Sequence, residues 1–577
     1  MAVRHPCRQG SGAHSPQDPI TRKVIMIEIT NIKVSLKQGS TEESCLKACK
    51  REATRLLDIR PQDIACIALH RKSIDARKKS NVHFILSAHI QLSNRAQELA
   101  CVETLDESAR KNIHLIDSDE PHFPQPDAIG HRPVARPVVV GAGCAGLFAA
   151  LTLAHAGLEP LLIERGADAT RRTRDVEHFN RTGELNESSN IQFGLGGAGT
   201  FSDGKLTTGT KNPLHRLILQ TFVEAGAPRE ILWDAKPHIG SDILPAVVTD
   251  IVAQIENLGG EVRFNTQMVD IARTAAGAIS SITISSQDAN GQKREEVIAT
   301  SQLILAYGHS ARDVFALLSQ RGFSLQRKTF AMGVRIEHLQ CDIDRAQYGS
   351  AAGHPALGAA PYKLVAHTKN GRSLFSFCMC PGGQVVAATS EAHGVVTNGA
   401  SLHARDGINA NAALLVNINP QDLPGDDPLA GVDLQRSCER RAFEIGGGAY
   451  RAPAQLVGDF MAHRPSTGAA TVAPTYPRGV TWTEIDPCLP VHVAETLRLG
   501  IPALGHKLRG YDNPHAVLTA IESRSSSPVT IVRDSSCHAL GAEGLYPCGE
   551  GAGYAGGIMS AATDGIRCAQ ALIADLR

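Results

Sequence analysis

The sequence predicts an α/β fold, and three stretches of the chain lead to that prediction. An apolar strand runs through a glycine-rich turn into an uncharged helix within residues 137–157. A second glycine-rich loop, again followed by a helix, occupies residues 544–572. Between residues 26 and 116, short strands and helices alternate as in a separate small α+β module.

Composition indicates a folded protein of several domains. At about 150 residues per domain, the 577 residues predict about two to four domains. Lysine plus arginine and aspartate plus glutamate each number 58, so the formal net charge is zero, which excludes a globally basic nucleic-acid binder. Aromatic residues make up only 4% of the chain, which argues against extensive stacking of bases.

No segment of the sequence points to secretion or to a membrane. Residues 1–25 contain no apolar signal-peptide core, and we interpret them as a disordered extension. The uncharged stretch 137–156 has the length of a membrane span, but its glycines and its strand-then-helix pattern favour a buried core segment. The 14 cysteines lack paired zinc-site spacing. We therefore expect a soluble, cytoplasmic protein without a bound metal.

Residues 26–116 predict a ferredoxin-like α+β domain, because strands and helices follow the β-α-β-β-α-β order of that fold. Four prolines in residues 117–136 predict a linker. A basic run in this domain could grip RNA, but Phe84 is the one strand aromatic available for stacking. We interpret the run as a solvated or domain-docking surface and do not expect nucleic acid to bind. It comprises His70, Arg71, Lys72, Arg77, Lys78 and Lys79.

The strongest functional signal is a dinucleotide-binding motif within residues 138–166. Gly141, Gly143 and Gly146 form G-x-G-x-x-G between a strand and a helix. The first glycine permits a tight turn, the second lets the backbone approach a pyrophosphate, and the third lets helix and strand pack closely. Glu164 ends the next strand, where a carboxylate accepts hydrogen bonds from a ribose. Strand, helix, strand and acid in this order predict a Rossmann-like domain.

The late glycine-rich segment favours FAD over NAD. Residues 544–572 predict a strand, a glycine-rich loop and a helix whose N-terminus stabilises negative charge on a flavin. Together with the apolar strand that ends at Ala306 and Gly308, this is the split layout of glutathione-reductase-type FAD domains. The alternative is an NAD-dependent dehydrogenase without flavin, which would not need the C-terminal segment.

Several longer blocks resemble the signature sequences of a bacterial family, usually called uncharacterised FAD-dependent dehydrogenases or FAD-dependent proteins. The blocks are KSIDARKK (72–79), SNIQFGLGGAGTFSDGKLTT (189–208), PHIGSD (237–242), GHSARD (308–313), FCMCPGG (377–383), ESRSSSPV (522–529) and YPCGEGAGYAGGIMSAATDG (546–565). The resemblance covers nearly all of residues 26–577. It implies an FAD-binding domain, an interleaved substrate domain and a small N-terminal domain. Leu195 stands where the family has a glutamate, so no role of that carboxylate transfers to this chain.

The expected domains follow from these segments. The FAD-binding domain comprises residues 137–327 and 521–577, and an α+β substrate or cap domain of residues 328–520 is inserted between its parts. We assign cofactor contacts to residues in and around the glycine-rich segments. They are Gly141, Ala142, Gly143, Ala145, Gly146, Glu164, Arg165, Gly196, Gly197, Thr200, Ser202, Met268, Val269, Ala306, Gly308, Gly549, Glu550, Gly556, Gly557 and Ile558.

Five residues are candidates for catalysis, each with a structural alternative. Lys205, after the second glycine-rich loop, could stabilise an anionic reduced flavin or could be a surface lysine. His238 and His309 could transfer protons or bind a substrate carboxylate, or could cap loop backbone. Cys378 and Cys380 would share one strand face as reactive thiols, although buried cysteines are more often apolar core residues.

The sequence therefore predicts an FAD-dependent oxidoreductase that transfers hydride between flavin and an unidentified small organic substrate. It contains no second complete dinucleotide motif, so NAD(P)H would dock only transiently as a reductant. The alternative is a protein whose flavin is structural or sensory, and whose N-terminal domain recruits RNA or a protein partner.

Overall fold

The computed structural model describes residues 25–117, 121–130, 133–287 and 292–577. The predicted disordered extension lies outside these residues except for residue 25, and so does part of the predicted linker. The α-helices are α1 (Glu42–Leu57), α2 (Arg95–Glu103), α3 (Cys144–His155), α4 (Ala169–Thr182), α5 (Leu214–Glu224), α6 (Leu244–Asn257), α7 (Arg312–Gln320), α8 (Gln340–Tyr348), α9 (Ala430–Ile445), α10 (Val457–Met461), α11 (Val491–Lys507) and α12 (Ile558–Asp575).

The strands are numbered in the same way. They are β1 (Ile25–Val34), β2 (Ile64–Asp75), β3 (His83–Leu92), β4 (Ile113–Asp117), β5 (Val138–Val140), β6 (Leu161–Ile163), β7 (Glu261–Arg263), β8 (Thr266–Arg273), β9 (Ile279–Gln287), β10 (Lys293–Ala299), β11 (Leu303–Leu305), β12 (Leu325–Arg327), β13 (Phe330–Leu339), β14 (Val365–His367), β15 (Ser373–Cys380), β16 (Gln384–Ala387), β17 (Thr397–Ala400), β18 (Asn409–Ile418), β19 (Ala452–Leu456), β20 (Val480–Trp482), β21 (Val517–Glu522), β22 (Val529–Ile531) and β23 (Leu545–Pro547).

The chain divides into two compact units. The first contains the described part of residues 1–122 together with residues 211–237 and 347–360. The second contains the described part of residues 123–210, 238–346 and 361–577. Two short segments of the expected FAD-binding and substrate regions therefore group with the N-terminal module.

The first unit is built on a four-stranded antiparallel sheet in the order β2-β3-β1-β4. Helix α1 packs against β1, β2 and β3, and α2 packs against β3 and β4. Thr41 caps α1, because its hydroxyl accepts the Ser44 amide at 3.2 Å. Ile27 and Ile29 are fully buried between sheet and helices. This is the ferredoxin-like arrangement that the sequence predicts.

The second unit contains a five-stranded parallel sheet in the order β23-β11-β5-β6-β7. Its strands β5, β6, β11 and β23 are buried throughout, as expected for a parallel sheet covered on both faces. The last strand, β23, pairs with β11 although about 240 residues separate them. The sheet therefore unites the early and late segments of the chain, as in a Rossmann-like fold.

Among the described residues, four further sheets complete the second unit, and two of these are the two-stranded sheets β12-β22 and β16-β17. An antiparallel sheet in the order β10-β9-β8 follows the parallel strand β7, and it was not predicted from the sequence. A seven-stranded sheet has the order β14-β15-β18-β13-β21-β19-β20. Apart from β13, all its strands come from residues 365–522. Among the helices of the described residues, none combines the length and the apolar character that a membrane crossing requires.

The predicted strand through Cys378 is interrupted at that residue. Strand β15 changes register against β18 between Phe377 and Cys380, and Cys378 has a positive φ of 39°. Such a bulge redirects the side chain, so that Cys378 is exposed while Cys380 is buried. The expectation that the two thiols share one strand face is therefore wrong.

Candidate functional site

The turn between β5 and α3 requires glycine for steric reasons. Gly141 has a φ of 100°, and a Cβ atom there would lie 2.5 Å from the Ala306 carbonyl oxygen. A Cβ atom on Gly146 would lie 1.8 Å from the carbonyl oxygen of Gly141. Helix α3 begins at Cys144, and its N-cap residue, Gly143, has no side chain, so the first N–H groups of the helix lack a partner from a capping side chain. The turn offers a site for an anionic group.

The second glycine-rich block lies directly on this turn. The Gly196 amide donates to the Ala142 carbonyl oxygen at 2.8 Å. A Cβ atom on Gly197 would lie 3.1 Å from the Cα atom of Gly143. Gly196 and Gly197 both have positive φ angles, at 84° and 63°. The two glycine motifs, about fifty residues apart in sequence, thus form one backbone surface.

Arg172 on α4 holds the second block in place, a role that the sequence did not predict. The side chain is fully buried. Its guanidinium donates to backbone carbonyl oxygens at 2.6–3.2 Å. The accepting residues are Asn190, Ile191, Gly194, Leu195 and Gly197. Burial lowers the pKa of Arg172 to about 9. A buried cation with carbonyl partners fixes the loop rather than contacting a ligand.

Glu164 links the two glycine-rich segments. Its carboxylate accepts the amide of Ala142 at 2.8 Å through one oxygen. The other oxygen accepts the amides of Gly166 and Gly194, each at 2.9 Å. The side chain is buried, and an ionised carboxylate has about four acceptor positions, so room remains for another donor. Glu164 therefore organises the turn in addition to its predicted role toward a ribose.

The C-terminal glycine-rich loop approaches the same surface. A Cβ atom on Gly549 would lie 2.7 Å from the Cβ atom of Ala145. The Cys144 thiol lies 3.4 Å from the carbonyl oxygen of Ile558, the first residue of α12. Gly557, with a φ of 147°, is the N-cap residue of α12 and makes no side-chain cap bond. A Cβ atom placed on Gly556 or on Gly557 would have no other atom of the described chain within 4 Å. A second uncapped helix N-terminus thus faces open space.

Glu550, in this loop, has an unusual environment. Its carboxylate oxygen lies 3.5 Å from Nδ1 of His309. Burial raises the pKa of Glu550 to about 7, with Lys328 acting in the opposite direction. Burial lowers the pKa of His309 to about 4, and Arg524 acts in the same direction. Glu550 therefore changes its protonation state near neutral pH, while His309 stays neutral.

A cavity of about 420 Å³ adjoins the C-terminal loop. Its apolar walls include Phe330, Phe375, Phe377 and Leu415 from the seven-stranded sheet. Lys328, Thr329, Asn417, Ser525, Ser526 and Ser560 supply polar groups, and Ala331, Gly553, Tyr554, Ala555 and Gly556 complete the lining. The Lys328 ammonium donates to the Gly553 carbonyl oxygen at 2.5 Å. The volume suits a small organic molecule with an apolar body.

Four of the five catalytic candidates form a separate cluster: Lys205, His238, Cys378 and Cys380. The backbone of Lys205 pairs with that of His238. The Lys205 ammonium lies 3.0 Å from Asp203 and 4.0 Å from the Cys380 sulfur. Burial alone would raise the pKa of Asp203, but Lys205 and Arg405 lower it to about 2. Lys205 is therefore a charge-paired residue in this structure.

The histidine and the exposed cysteine of this cluster are not activated. His238 bonds to the His403 carbonyl oxygen at 3.0 Å, and burial lowers its pKa to about 4. Cys378 is exposed as a residue, but protein atoms surround its sulfur, and this burial raises the pKa of the thiol to about 12. Both groups are neutral at neutral pH. His309 lies apart from these residues, beside Glu550.

Two buried ion clusters connect the predicted blocks, and neither was predicted. Arg335 on β13 pairs with Glu522 at 2.8 Å and donates to the Cys378 carbonyl oxygen at 2.8 Å. Glu439 on α9 lies between Arg312 and Arg524, with 2.8 Å contacts to both. In the sequence, these ion clusters were indicated only by the charged residues inside family blocks such as GHSARD and ESRSSSPV. Their partners lie too far along the chain for spacing to identify them.

The structure also shows the surroundings of other residues that we assigned to the cofactor site. Arg165 pairs with Asp313 at 2.9 Å and stacks over Phe193, so its charge is already neutralised. Met268 is buried in the core beside the parallel sheet, and Val269 is partly buried on β8. Thr200 and Ser202 bond to the backbone of their own loop. Gly308 has a φ of 74° with open space at its Cβ position.

Comparison with known proteins identifies the family. A model described as "FAD binding domain" matches residues 135–299, and one described as "FAD-dependent protein, C-terminal domain-like" matches residues 329–525. A domain of unknown function matches residues 26–91. An uncharacterized protein of Clostridium beijerinckii is 44% identical over 550 residues, covering 95% of this chain and 98% of the relative. The chain belongs to the FAD-dependent protein family. FAD is its cofactor, and the fold is α/β.

Likenesses to solved structures are weaker. A geranylgeranyl bacteriochlorophyll reductase-like protein from Thermoplasma acidophilum is 10% identical, covering 76% of this chain and 78% of that chain, with a TM-score of 0.35. The flavin-dependent monooxygenase PieE, solved with FAD and substrate, is 17% identical over 52% of this chain and 45% of that chain, with a TM-score of 0.24. This chain thus spans less than half of that monooxygenase.

The residues present fit FAD. Two uncapped helix N-termini, at Gly143 and Gly557, favour the negative charges of a pyrophosphate and of a reduced flavin ring. The open space at Gly556 and Gly557 would be filled by any larger side chain. The protein is accordingly an FAD-dependent flavoprotein of the oxidoreductase class.

Proposed function

We propose that this protein transfers a hydride between its FAD and a small organic molecule bound in the cavity of about 420 Å³. The observation that supports this most strongly is the adjacency of that cavity to the C-terminal glycine-rich loop. Gly556 both lines the cavity and precedes the uncapped N-terminus of α12. A substrate in the cavity would therefore lie beside the part of the protein best suited to a charged flavin ring.

The proposed cofactor residues have distinct tasks. The turn from Gly141 to Gly146 and the block at Gly196 and Gly197 would bind the pyrophosphate through backbone N–H groups. Glu164 would hold these segments together and accept a ribose hydroxyl. The N-terminus of α12 would stabilise the charge that develops on the ring. Bound FAD would supply the two-electron chemistry.

The cavity lining favours a substrate with an apolar, ring-sized body. The three phenylalanine side chains and Leu415 offer apolar contacts, whereas the serine hydroxyls can orient one polar end. Burying an apolar ring against such walls is worth about 25 cal/mol per Å² of area removed from water. The cavity would therefore select substrates that have both an apolar body and a hydrogen-bonding group at one end.

Glu550 is the group we propose for proton transfer. A hydride leaving a hydroxyl-bearing or amine-bearing carbon must be accompanied by loss of a proton from the oxygen or nitrogen. A carboxyl group with a pKa of about 7 can accept that proton, or donate it in the reverse direction. Lys328 lies both in the cavity wall and near Glu550, which supports the proximity of this carboxyl to a bound substrate.

We further propose a cytoplasmic location and transient use of NAD(P)H as reductant. The sequence contains no second G-x-G-x-x-G motif followed by an acidic residue that could bind a ribose. This supports transient binding of a nicotinamide dinucleotide rather than a permanent site for one. Anaerobic mixing with NADPH, and separately with NADH, tests this through the absorbance of the flavin. Bleaching within seconds is expected. A flavin that stays oxidised with both nicotinamides would contradict the proposed reductant.

A cavity variant tests the substrate site separately. Titration with small aromatic and aliphatic alcohols and acids should perturb the flavin absorption spectrum of the wild type. Leu415→Trp fills the cavity and should abolish this perturbation while FAD content is kept. Leu402→Trp, at a half-exposed position of the second unit, is the matched control. An unchanged perturbation in Leu415→Trp would exclude the cavity as the substrate site.

A further inference from the structure

A row of potential metal ligands crosses the sheet of the first unit. Glu28 on β1 lies directly opposite His89 on β3, and His70 comes from the neighbouring strand β2. The Nε2 atoms of both histidines lie 3.6 Å from the same Glu28 carboxylate oxygen. One ligand atom from each of the three residues lies within 4.8 Å of the other two. His114 on β4 lies opposite Glu28 on its other side.

The strand geometry explains how these side chains converge. Ile27 and Ile29 are buried toward the helices, so the side chain of Glu28 projects from the other face of the sheet. Strand β2 shifts register against β3 between Leu69 and Arg71, which leaves His70 as an extra residue in a bulge. A bulge redirects its side chain, and here the His70 ring stacks on His89 with centroids 4.0 Å apart.

We propose that Glu28, His70 and His89 form a binding site for a divalent transition metal, Zn²⁺ foremost, with water as the fourth ligand. Two imidazoles and one carboxylate are a ligand set that zinc accepts, and three protein ligands leave one position open. The contact distances of 3.6 Å are close to the ligand-to-ligand separation that bonds of about 2.0–2.1 Å require around a tetrahedral ion.

The protonation state of the site is compatible with this role. A histidine binds metal only through an unprotonated nitrogen. Burial lowers the pKa of His70 below its usual value; Arg216 and Arg71 act in the same direction, and Glu28 opposes them. The site lies wholly in the first unit and involves no residue of the proposed flavin site.

A second cluster in the chain is a poorer metal site. Cys548, Asp564 and Cys568 also lie within 4.8 Å of one another and are buried. However, Arg533 pairs with Asp564 at 2.6 Å and lies 3.2 Å from the Cys568 sulfur. A guanidinium at the centre of the cluster repels a cation and already occupies the carboxylate.

The test uses the full-length protein freed of metal with a chelator and then titrated with Zn²⁺ by calorimetry. We expect one tight equivalent in the wild type, and affinity at least about tenfold weaker in His70→Gln and in His89→Gln. His83→Gln is the matched control, because His83 lies on the same strand as His89 and pairs with Asp75 instead. Equal affinity in the wild type and the two ligand variants would overturn the proposal.

Co²⁺ provides a second readout that identifies the ligands. Cobalt held by two imidazoles and a carboxylate should give visible ligand-field bands without the near-ultraviolet absorption of a cobalt–thiolate bond. A thiolate band from the tight equivalent would assign the metal to cysteines and overturn the proposal. Circular dichroism of each variant without metal separates loss of ligation from loss of folding.

Discussion

Nδ1 of His309 lies 3.5 Å from a carboxyl oxygen of Glu550, and Nε2 of the same ring lies 2.9 Å from the Arg524 carbonyl oxygen. A carbonyl oxygen can only accept, so Nε2 carries the proton of the neutral ring. Nδ1 then presents a lone pair to Glu550. This arrangement is favourable when Glu550 is protonated and can donate, which agrees with its raised pKa.

The first prediction concerns the pH dependence of flavin reduction or substrate turnover. If Glu550 transfers the proton, the rate in the wild type should change through a titration near pH 7. Glu550→Gln should remove that step and reduce the rate by about 10²–10⁴-fold. Stopped-flow absorbance across pH 5–9 measures both effects. The same pH profile in wild type and variant would show that another group titrates.

The second prediction concerns stability and has a definite sign. The folded pKa of Glu550 is raised to about 7 from 4.5, so the native state binds the proton more tightly than the unfolded state. Its contribution is fully present below pH 4.5 and is lost as the pH rises through 7. Glu550→Gln should therefore flatten the fall in stability between these values. Urea unfolding at several pH values measures it, and a steeper fall in the variant would contradict the assignment.

The third prediction concerns Arg172, which donates to five backbone carbonyls of the second glycine-rich block. Arg172→Lys keeps the charge but loses most of these bonds, because an ammonium cannot reproduce the planar fork. FAD affinity should fall by at least about tenfold, since lost loop geometry costs more than about 1.4 kcal/mol. Arg171→Lys, next to it but exposed, should retain wild-type affinity. Equal FAD affinity in both variants would show that the loop held by Arg172 does not contribute to FAD binding.

The fourth prediction concerns the buried contact of Glu439 with Arg312 and Arg524. Neutralising the acid leaves two buried cations with only the partly exposed Glu391 as a carboxylate partner among the described ion pairs. Glu439→Gln should lower the free energy of unfolding by about 3–5 kcal/mol. Glu444→Gln, on the same helix but in an exposed pair with Arg441, should change it by less than about 0.5 kcal/mol. Chemical denaturation compares the two, and similar small losses would contradict a structural role for Glu439.

The fifth prediction concerns Glu164, whose carboxylate accepts three backbone amides. A glutamine there can accept through only one group, and its NH₂ would face the remaining amide donors. Glu164→Gln should cost about 1–3 kcal/mol of stability and reduce FAD retention through gel filtration. If the purified variant keeps the full flavin content of the wild type, Glu164 does not organise the cofactor site.

The sequence allowed the glycine turns to be predicted because their requirement is local. A positive φ at Gly141 and the close packing of Gly146 follow from strand, turn and helix in immediate succession. The contacts of Arg172 could not be predicted, since its partners are main-chain oxygens that any residue carries. The bulge at Cys378 was missed because local alternation indicated a regular strand, whereas pairing with β18 decides the register. The pairing of Glu439 with two distant arginines depends on tertiary structure alone.

The most direct test is the visible absorption spectrum of the purified protein, with FAD quantified after denaturation. We predict a yellow protein with about one FAD per chain, or full reloading of that amount by the apoprotein, since the sequence contains one dinucleotide-binding motif. A colourless protein that cannot be loaded with FAD would contradict the central assignment.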